Sequence, residues 1–186
     1  MSEIHIERKW SMPSPNTFSI KPIRELIEDV IIKKKIEMGD SQELMVIDPF
    51  VRNSIFKEDC SLTNDLDPEI EADEHMDALD FLKSIPSGVA DIVFYDPPWT
   101  TRQVSECYKK MGMTVNQETT QATFWTKLKK EIARVTKVGG IAISAGYNSG
   151  GINKCNGYEI ERILLVAHGG VHADSIVTVD RKIKDK

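Results

Sequence analysis

The stretch ADIVFYDPPW, residues 90–99, constrains this chain more than any other. Its apolar, β-branched and aromatic run reads as a buried strand. Pro97 and Pro98 then stop it, because each proline removes a ladder donor and a central strand tolerates neither. The same prolines stiffen the loop that follows, so the directions of Asp96 and Trp99 are set by backbone rather than by chance.

Other runs place that strand in a larger pattern. Residues 1–16 carry Pro13 and Pro15 and read as an extended arm. After Lys21-Pro22 the spacing of Ile23, Leu26, Ile27, Val30 and Ile31 predicts a helix, with proline at its start and Gly39 at its stop. ELMVIDPF (43–50) reads as a buried strand ending in Asp-Pro, and SLTNDLDPE (61–69) as a weaker one. HMDALDFLKSIPSG (75–88) reads as a strand tip, a short helix and a turn. A polar stretch over 100–121 reads as a flexible loop. FWTKLKKEIARVTKVGG (124–140) has Phe124, Leu128, Ile132 and Val135 on one helical face, closed by glycines. IAISAGYN, EIERILLVAH and SIVTVDRKI follow as strands, the last two a candidate antiparallel hairpin.

Strands alternating with helices predict an α/β domain spanning 1–186, a Rossmann-like, doubly wound, mostly parallel sheet with a C-terminal antiparallel hairpin. Such sheets bind ligands beyond the carboxyl ends of their strands. Asp48, Asp65, Asp77 and Asp96 all fall where strands should end, although aspartate also favours turns for its own reasons.

Composition narrows the class. No apolar run nears the ~20 residues of a membrane span, and the start MSEIHIERKW lacks a secretory segment, so a cytoplasmic location is expected. Three scattered cysteines outside any C-x-x-C pair suit neither a disulfide framework nor a zinc site. His168 and His172 flank Gly169-Gly170, which reads as a turn rather than a metal-binding helix face. The net charge of −5 requires any nucleic-acid contact to use a local basic face. Arg102, Lys109 and Lys110 are candidates, as are Lys127, Lys129 and Lys130, and the tail from Arg181.

The Asp96 carboxylate and the Pro97 carbonyl form an acceptor pair able to hold both hydrogens of an exocyclic amine such as that of adenine. Held so, the nitrogen becomes more tetrahedral and nucleophilic, and a carboxylate stabilises the positive charge that develops on it. Trp99 offers a face on which an extruded base can stack.

These motifs resemble those of S-adenosylmethionine-dependent amino-methyltransferases acting on adenine, the small phage-type DNA adenine methyltransferases above all. D-P-P-W at the end of the fourth strand is their hallmark, with Asp96, Pro97, Pro98 and Trp99 implied as catalytic. Thr17 and Lys21, within Asn16-Thr17-Phe18-Ser19-Ile20-Lys21-Pro22, resemble the T-x-K-P cofactor motif, its lysine facing the methionine carboxylate. Asp48-Pro49-Phe50 resembles the D-P-F cofactor loop. Asn64-Asp65 resembles the acidic strand end that holds the ribose, and Asp77-Ala78-Leu79 the segment whose aspartate contacts the cofactor's adenine. The motif order is that of the gamma-type arrangement, and Arg102 to Tyr108 belong to the match.

Two departures stand out. The loop after Asp48-Pro49-Phe50 reads Val51-Arg52-Asn53-Ser54, without the family's glycines. No segment is long enough for a separate target-recognition domain, which implies a short sequence preference, or a homodimer or partner that completes recognition. Two other readings stay open: adenine methylation in RNA, and a non-catalytic nucleic-acid-binding module.

Overall fold

The computed structural model describes residues 3–39, 42–115 and 122–185. Seven strands form one sheet: β1 (His5–Trp10), β2 (Val46–Asp48), β3 (Leu62–Thr63), β4 (Ala90–Tyr95), β5 (Thr136–Gly146), β6 (Tyr158–Ala167) and β7 (Ser175–Lys182). Their spatial order is β1-β6-β7-β5-β4-β2-β3. The pairs β2–β3, β2–β4, β4–β5 and β1–β6 are parallel, while β7 runs antiparallel to both β5 and β6. The expected α/β sheet with its antiparallel hairpin is the observed one.

Helix α1 (Lys21–Met38) carries Pro22 in its first turn and ends at Gly39, whose φ of 83° a β-carbon would disfavour. It covers one sheet face with Ile23, Leu26, Ile27, Val30 and Ile31, packed on Ile92, Phe94, Ile143, Val177 and Val179. Helices α2 (Ala78–Ser84) and α4 (Ala122–Val135) cover the other, where Phe81, Leu82, Leu128 and Ile132 meet Val93, Tyr95 and Ala142. All six residues of β4 are buried, including Asp91, whose carboxylate accepts the Met45 N–H at 2.9 Å and the Lys137 ammonium at 2.8 Å.

Three expectations are corrected. Residues within the N-terminal arm form β1, because β6 would otherwise carry an unpaired edge; its ladder runs from His5 opposite Arg162 to Trp10 opposite Ala167. The helix beginning near Phe124 stops at Val135, and Gly139 and Gly140 lie inside β5 rather than closing the helix. A β-carbon on Gly140 would sit 2.7 Å from the Thr136 side chain and 3.0 Å from the Ala90 carbonyl, so glycine permits the irregular β4–β5 pairing there. The expected flexible loop contains α3 (Thr101–Lys110), and its residues 116–121 lie outside the described ones.

The turn at Gly169-Gly170 is present, with both glycines at positive φ. Its His168 is buried between the Ser11 carbonyl (Nδ1, 2.9 Å) and the Ser175 hydroxyl (Nε2, 2.8 Å), tying the segment after β1 to the hairpin. No helix among the described residues is long and apolar enough to cross a membrane.

Candidate active site

The parallel strands β2, β3 and β4 end at one edge, and a cleft of about 580 Å³ opens beyond them. That volume lies in the range of sites for small-molecule cofactors.

At the end of β2, Asp48 lies behind the cleft wall and is only 1% exposed. Its Oδ1 accepts the Phe50 N–H at 2.9 Å, while its buried Oδ2 has no partner among the described residues. Burial raises its pKa to about 7; the Phe50 bond opposes that, and the charges of Asp96 and Asp65 add to it. Pro49 and Phe50 themselves line the cleft.

At the end of β3, Asn64 acts as a staple. Its Nδ2 donates to the carbonyls of Pro49 and Met76, both at 3.1 Å, and its Oδ1 accepts the Met76 N–H. Asp65 joins two loops by accepting the Arg52 N–H at 3.0 Å on Oδ2 and the Asp67 N–H at 2.9 Å on Oδ1. Asp77 caps α2 by accepting the Leu79 N–H at 2.9 Å, and its other oxygen accepts the Tyr108 hydroxyl.

At the end of β4, Asp96 reaches the cleft. The Trp99 indole N–H donates to its Oδ1 at 2.8 Å, and the Thr17 side chain also hydrogen-bonds it. Burial pushes the Asp96 carboxyl above its ordinary range, and those two bonds with the charge of Arg52 pull it back. The Pro98 carbonyl accepts the Trp125 indole N–H at 3.1 Å. The Pro97 carbonyl accepts no hydrogen bond among the described residues, so it stays available next to Asp96. Trp99 meets Tyr147 edge-on, with ring centroids 4.6 Å apart and planes at 83°.

The structure thus brings Thr17, Pro49, Phe50, Asn64, Asp65, Asp77, Ala78, Asp96, Pro97, Pro98, Trp99 and Lys110 together around one cleft. Four expected residues lie elsewhere. Asp48 stands behind the wall. The Lys21 side chain is 74% exposed in the first turn of α1, with its ammonium 3.9 Å from Glu25. Arg102 is 87% exposed and does not line the cleft; it is ion-paired at 2.7 Å to Glu106, one turn further along α3. Lys109 shares that exposed surface.

Sequence reasoning assigned no role to Arg52, Gln103, Tyr108, Tyr147 and Trp125, although Gln103 and Tyr108 lie in the stretch of the family match. A signal existed for α3. Thr100 and Gln103 form a reciprocal capping box, a T-x-x-Q pattern that marks a helix start, and the Gln103 side chain also accepts the Trp99 N–H at 2.9 Å. The Tyr108–Asp77 and Lys110–Asp67 contacts then fasten α3 over the cleft.

This is the Rossmann-like fold of class I methyltransferases. HI0767 from Haemophilus influenzae, provisionally named a methylase, superposes over 86% of this chain and 98% of its own at a TM-score of 0.53 and 10% identity. TrmN from Thermus thermophilus matches 81% of this chain at 16% identity and a TM-score of 0.48, and this chain spans 48% of it. TYW2 from M. jannaschii, solved in complex with AdoMet, matches 84% of this chain and 76% of its own, with 15% identity and a TM-score of 0.43. No family model and no curated protein sequence matches the chain.

Proposed function

We propose that this chain is an S-adenosylmethionine-dependent methyltransferase that modifies the N6 amine of adenine in DNA. The observation that carries the reading is the acceptor pair at the end of β4, the Asp96 carboxylate with the open Pro97 carbonyl beside it.

The cleft chemistry suits the cofactor. Asp65, Asp67, Asp77 and Asp96 line it, and Asp48 adds an unpartnered carboxylate oxygen behind it, an excess of negative charge that favours a ligand with cationic groups. When bound, S-adenosylmethionine supplies an electrophilic methyl group on a sulfonium. Thr17, Asp65 and Asp77 are the residues expected to hold it, with Tyr108 fixing the Asp77 carboxylate.

Asp96 and Pro97 would orient the amine and stabilise its developing positive charge. Trp99 and Tyr147 give the cleft two aromatic walls set at right angles for an extruded base. Trp125 holds the Pro98 carbonyl, so the acceptor pair is pre-set rather than assembled on binding. A basic surface of α3, with Arg102 and Lys109, is the proposed path for the nucleic-acid backbone, and a second subunit or partner would supply further recognition.

The test is transfer of labelled methyl from S-adenosylmethionine to unmethylated duplex DNA, single-stranded DNA and RNA, followed by digestion to nucleosides. Label in N6-methyladenine from DNA is the expected result. Label from RNA alone would replace DNA as the substrate. No label, with no cofactor binding by calorimetry, would leave a binding module instead.

A further inference from the structure

Among the described residues, one cation at the cleft makes no hydrogen bond or ion pair through its charged group. The cleft lining holds two basic residues among those described, Arg52 and Lys110, and Lys110 is engaged by Asp67. The guanidinium of Arg52 makes no hydrogen bond or ion pair among the described residues; only its backbone N–H is used, by Asp65. Its side chain is exposed, so packing gives no reason for its presence.

Its backbone gives a reason for its absence. Arg52 has a φ of 41°, one of two non-glycine residues with positive φ in the described chain. Side chains with a β-carbon disfavour that region, and glycine occupies it freely. The conformation is fixed from outside: Asp65 takes the Arg52 N–H at 3.0 Å, the Val51 N–H reaches the Asn64 carbonyl at 3.0 Å, and the Ser54 N–H reaches the Val51 carbonyl at 2.8 Å. A glycine loop shape is therefore kept without a glycine. A disfavoured conformation held this firmly around a guanidinium that makes no hydrogen bond or ion pair among the described residues, its charge felt at longer range by Asp96 and Asp67, is the pattern of a functional position.

We infer that Arg52 anchors the carboxylate of the cofactor's methionine half, in place of Lys21. This deepens the methyltransferase reading and rests on it. The acidic residues of the cleft suit the cationic groups of that ligand but repel its one carboxylate. An arginine fork answers that carboxylate with two parallel donors, and it does so from the loop joining β2 to Asp65. Lys21 sits in the first turn of α1, with its side chain in solvent beside Glu25.

The experiment is equilibrium binding of S-adenosylhomocysteine and of methylthioadenosine, the same nucleoside without the amino-acid half. Both are measured on the wild type, Arg52→Ala, Arg52→Gly and Arg52→Lys, with thermal melts alongside. Losing a charge-assisted anchor should weaken S-adenosylhomocysteine about tenfold or more in the Ala and Gly variants. Methylthioadenosine affinity should stay unchanged, Lys should restore part of the loss, and the Gly variant should melt higher than wild type as the backbone relaxes. Equal loss of both ligands, or of neither, overturns the inference. So does a variant that loses only DNA affinity, which would assign the guanidinium to a phosphate. Wild type that binds neither nucleoside overturns the methyltransferase reading and this inference together.

Discussion

Each side of the sheet buries an aspartate with one oxygen that has no hydrogen-bond partner among the described residues, and the two are handled differently. Asp180, within β7, accepts the Thr178 hydroxyl on Oδ2 at 2.6 Å and lies near the ammonium of Lys129, which itself donates to the Gly151 carbonyl. Asp48, at the end of β2, has other carboxylates for neighbours, Asp96 and Asp65. Burial is the first cause of a raised pKa in both, to about 6 for Asp180 and about 7 for Asp48. On the hairpin side the protein supplies its own countercharge. At the cleft it leaves negative charge in excess, as a site must if a cation is to come from outside.

The sharpest way to break this contrast is Asp96→Ala. Removing the group that meets the amine should cut methyl transfer by about a hundredfold to a thousandfold, while circular dichroism and the melting temperature stay near wild type. Transfer within a few-fold of wild type would remove Asp96 from the chemistry.

The next largest effect is on pH dependence. Asp48 and Asp180 hold protons in the folded state above the pH at which they lose them unfolded. Their contributions are therefore fully present below about pH 4 and fall as pH rises, Asp180 levelling near 6 and Asp48 near 7. The slope should amount to a few kcal/mol in denaturant titrations between pH 4 and 8. Asp48→Asn should flatten its upper part, and Asp180→Asn its lower part. The sides should also separate on binding: S-adenosylmethionine affinity should rise with pH through about 7 in wild type and in Asp180→Asn, but much less in Asp48→Asn. Identical binding profiles in all three proteins would erase the distinction between the two aspartates.

Trp125→Phe keeps the ring and deletes the N–H that holds the Pro98 carbonyl. Turnover should fall up to about tenfold while cofactor affinity is unchanged, the signature of a loosened acceptor pair; a matching loss of affinity would show that the loop supports the cofactor instead. Tyr108→Phe should be mildest, about 1 kcal/mol. Faster amide exchange confined to residues 101–110 would mark α3 as fastened by that hydroxyl, and unchanged exchange there would argue that packing of Val104 and Tyr108 suffices.

Much of the cleft was legible because its physics is local. Asp65 and Asp96 each follow a short β-rich run, and two prolines announce the end of β4; Asp77, expected at a strand tip, instead follows an isolated bridge at Glu74 and caps α2. What stayed hidden depends on partners far along the chain. His5–Trp10 is mostly exposed and lacks a strand's apolar alternation, and only the need of β6 for a neighbour makes it a strand. The helix within 100–121 was masked by its polarity, although Thr100 and Gln103 spelled its cap. Arg52 could not be read at all, since nothing in Val51-Arg52-Asn53-Ser54 signals a left-handed backbone. That geometry is imposed by Asn64 and Asp65.

The placement of β7 between β5 and β6 has a consequence for the order of assembly. His5 pairs with Arg162, and the Ser11 carbonyl meets His168 across 157 positions of sequence. A newly made β1 therefore has nowhere to dock until β6 and β7 have joined the growing sheet. Contacts this distant carry a large loop-closure cost and slow the search for the native state. The ribosome thus releases the first strand long before its partner exists, and β1 should be the last piece of the sheet to become protected.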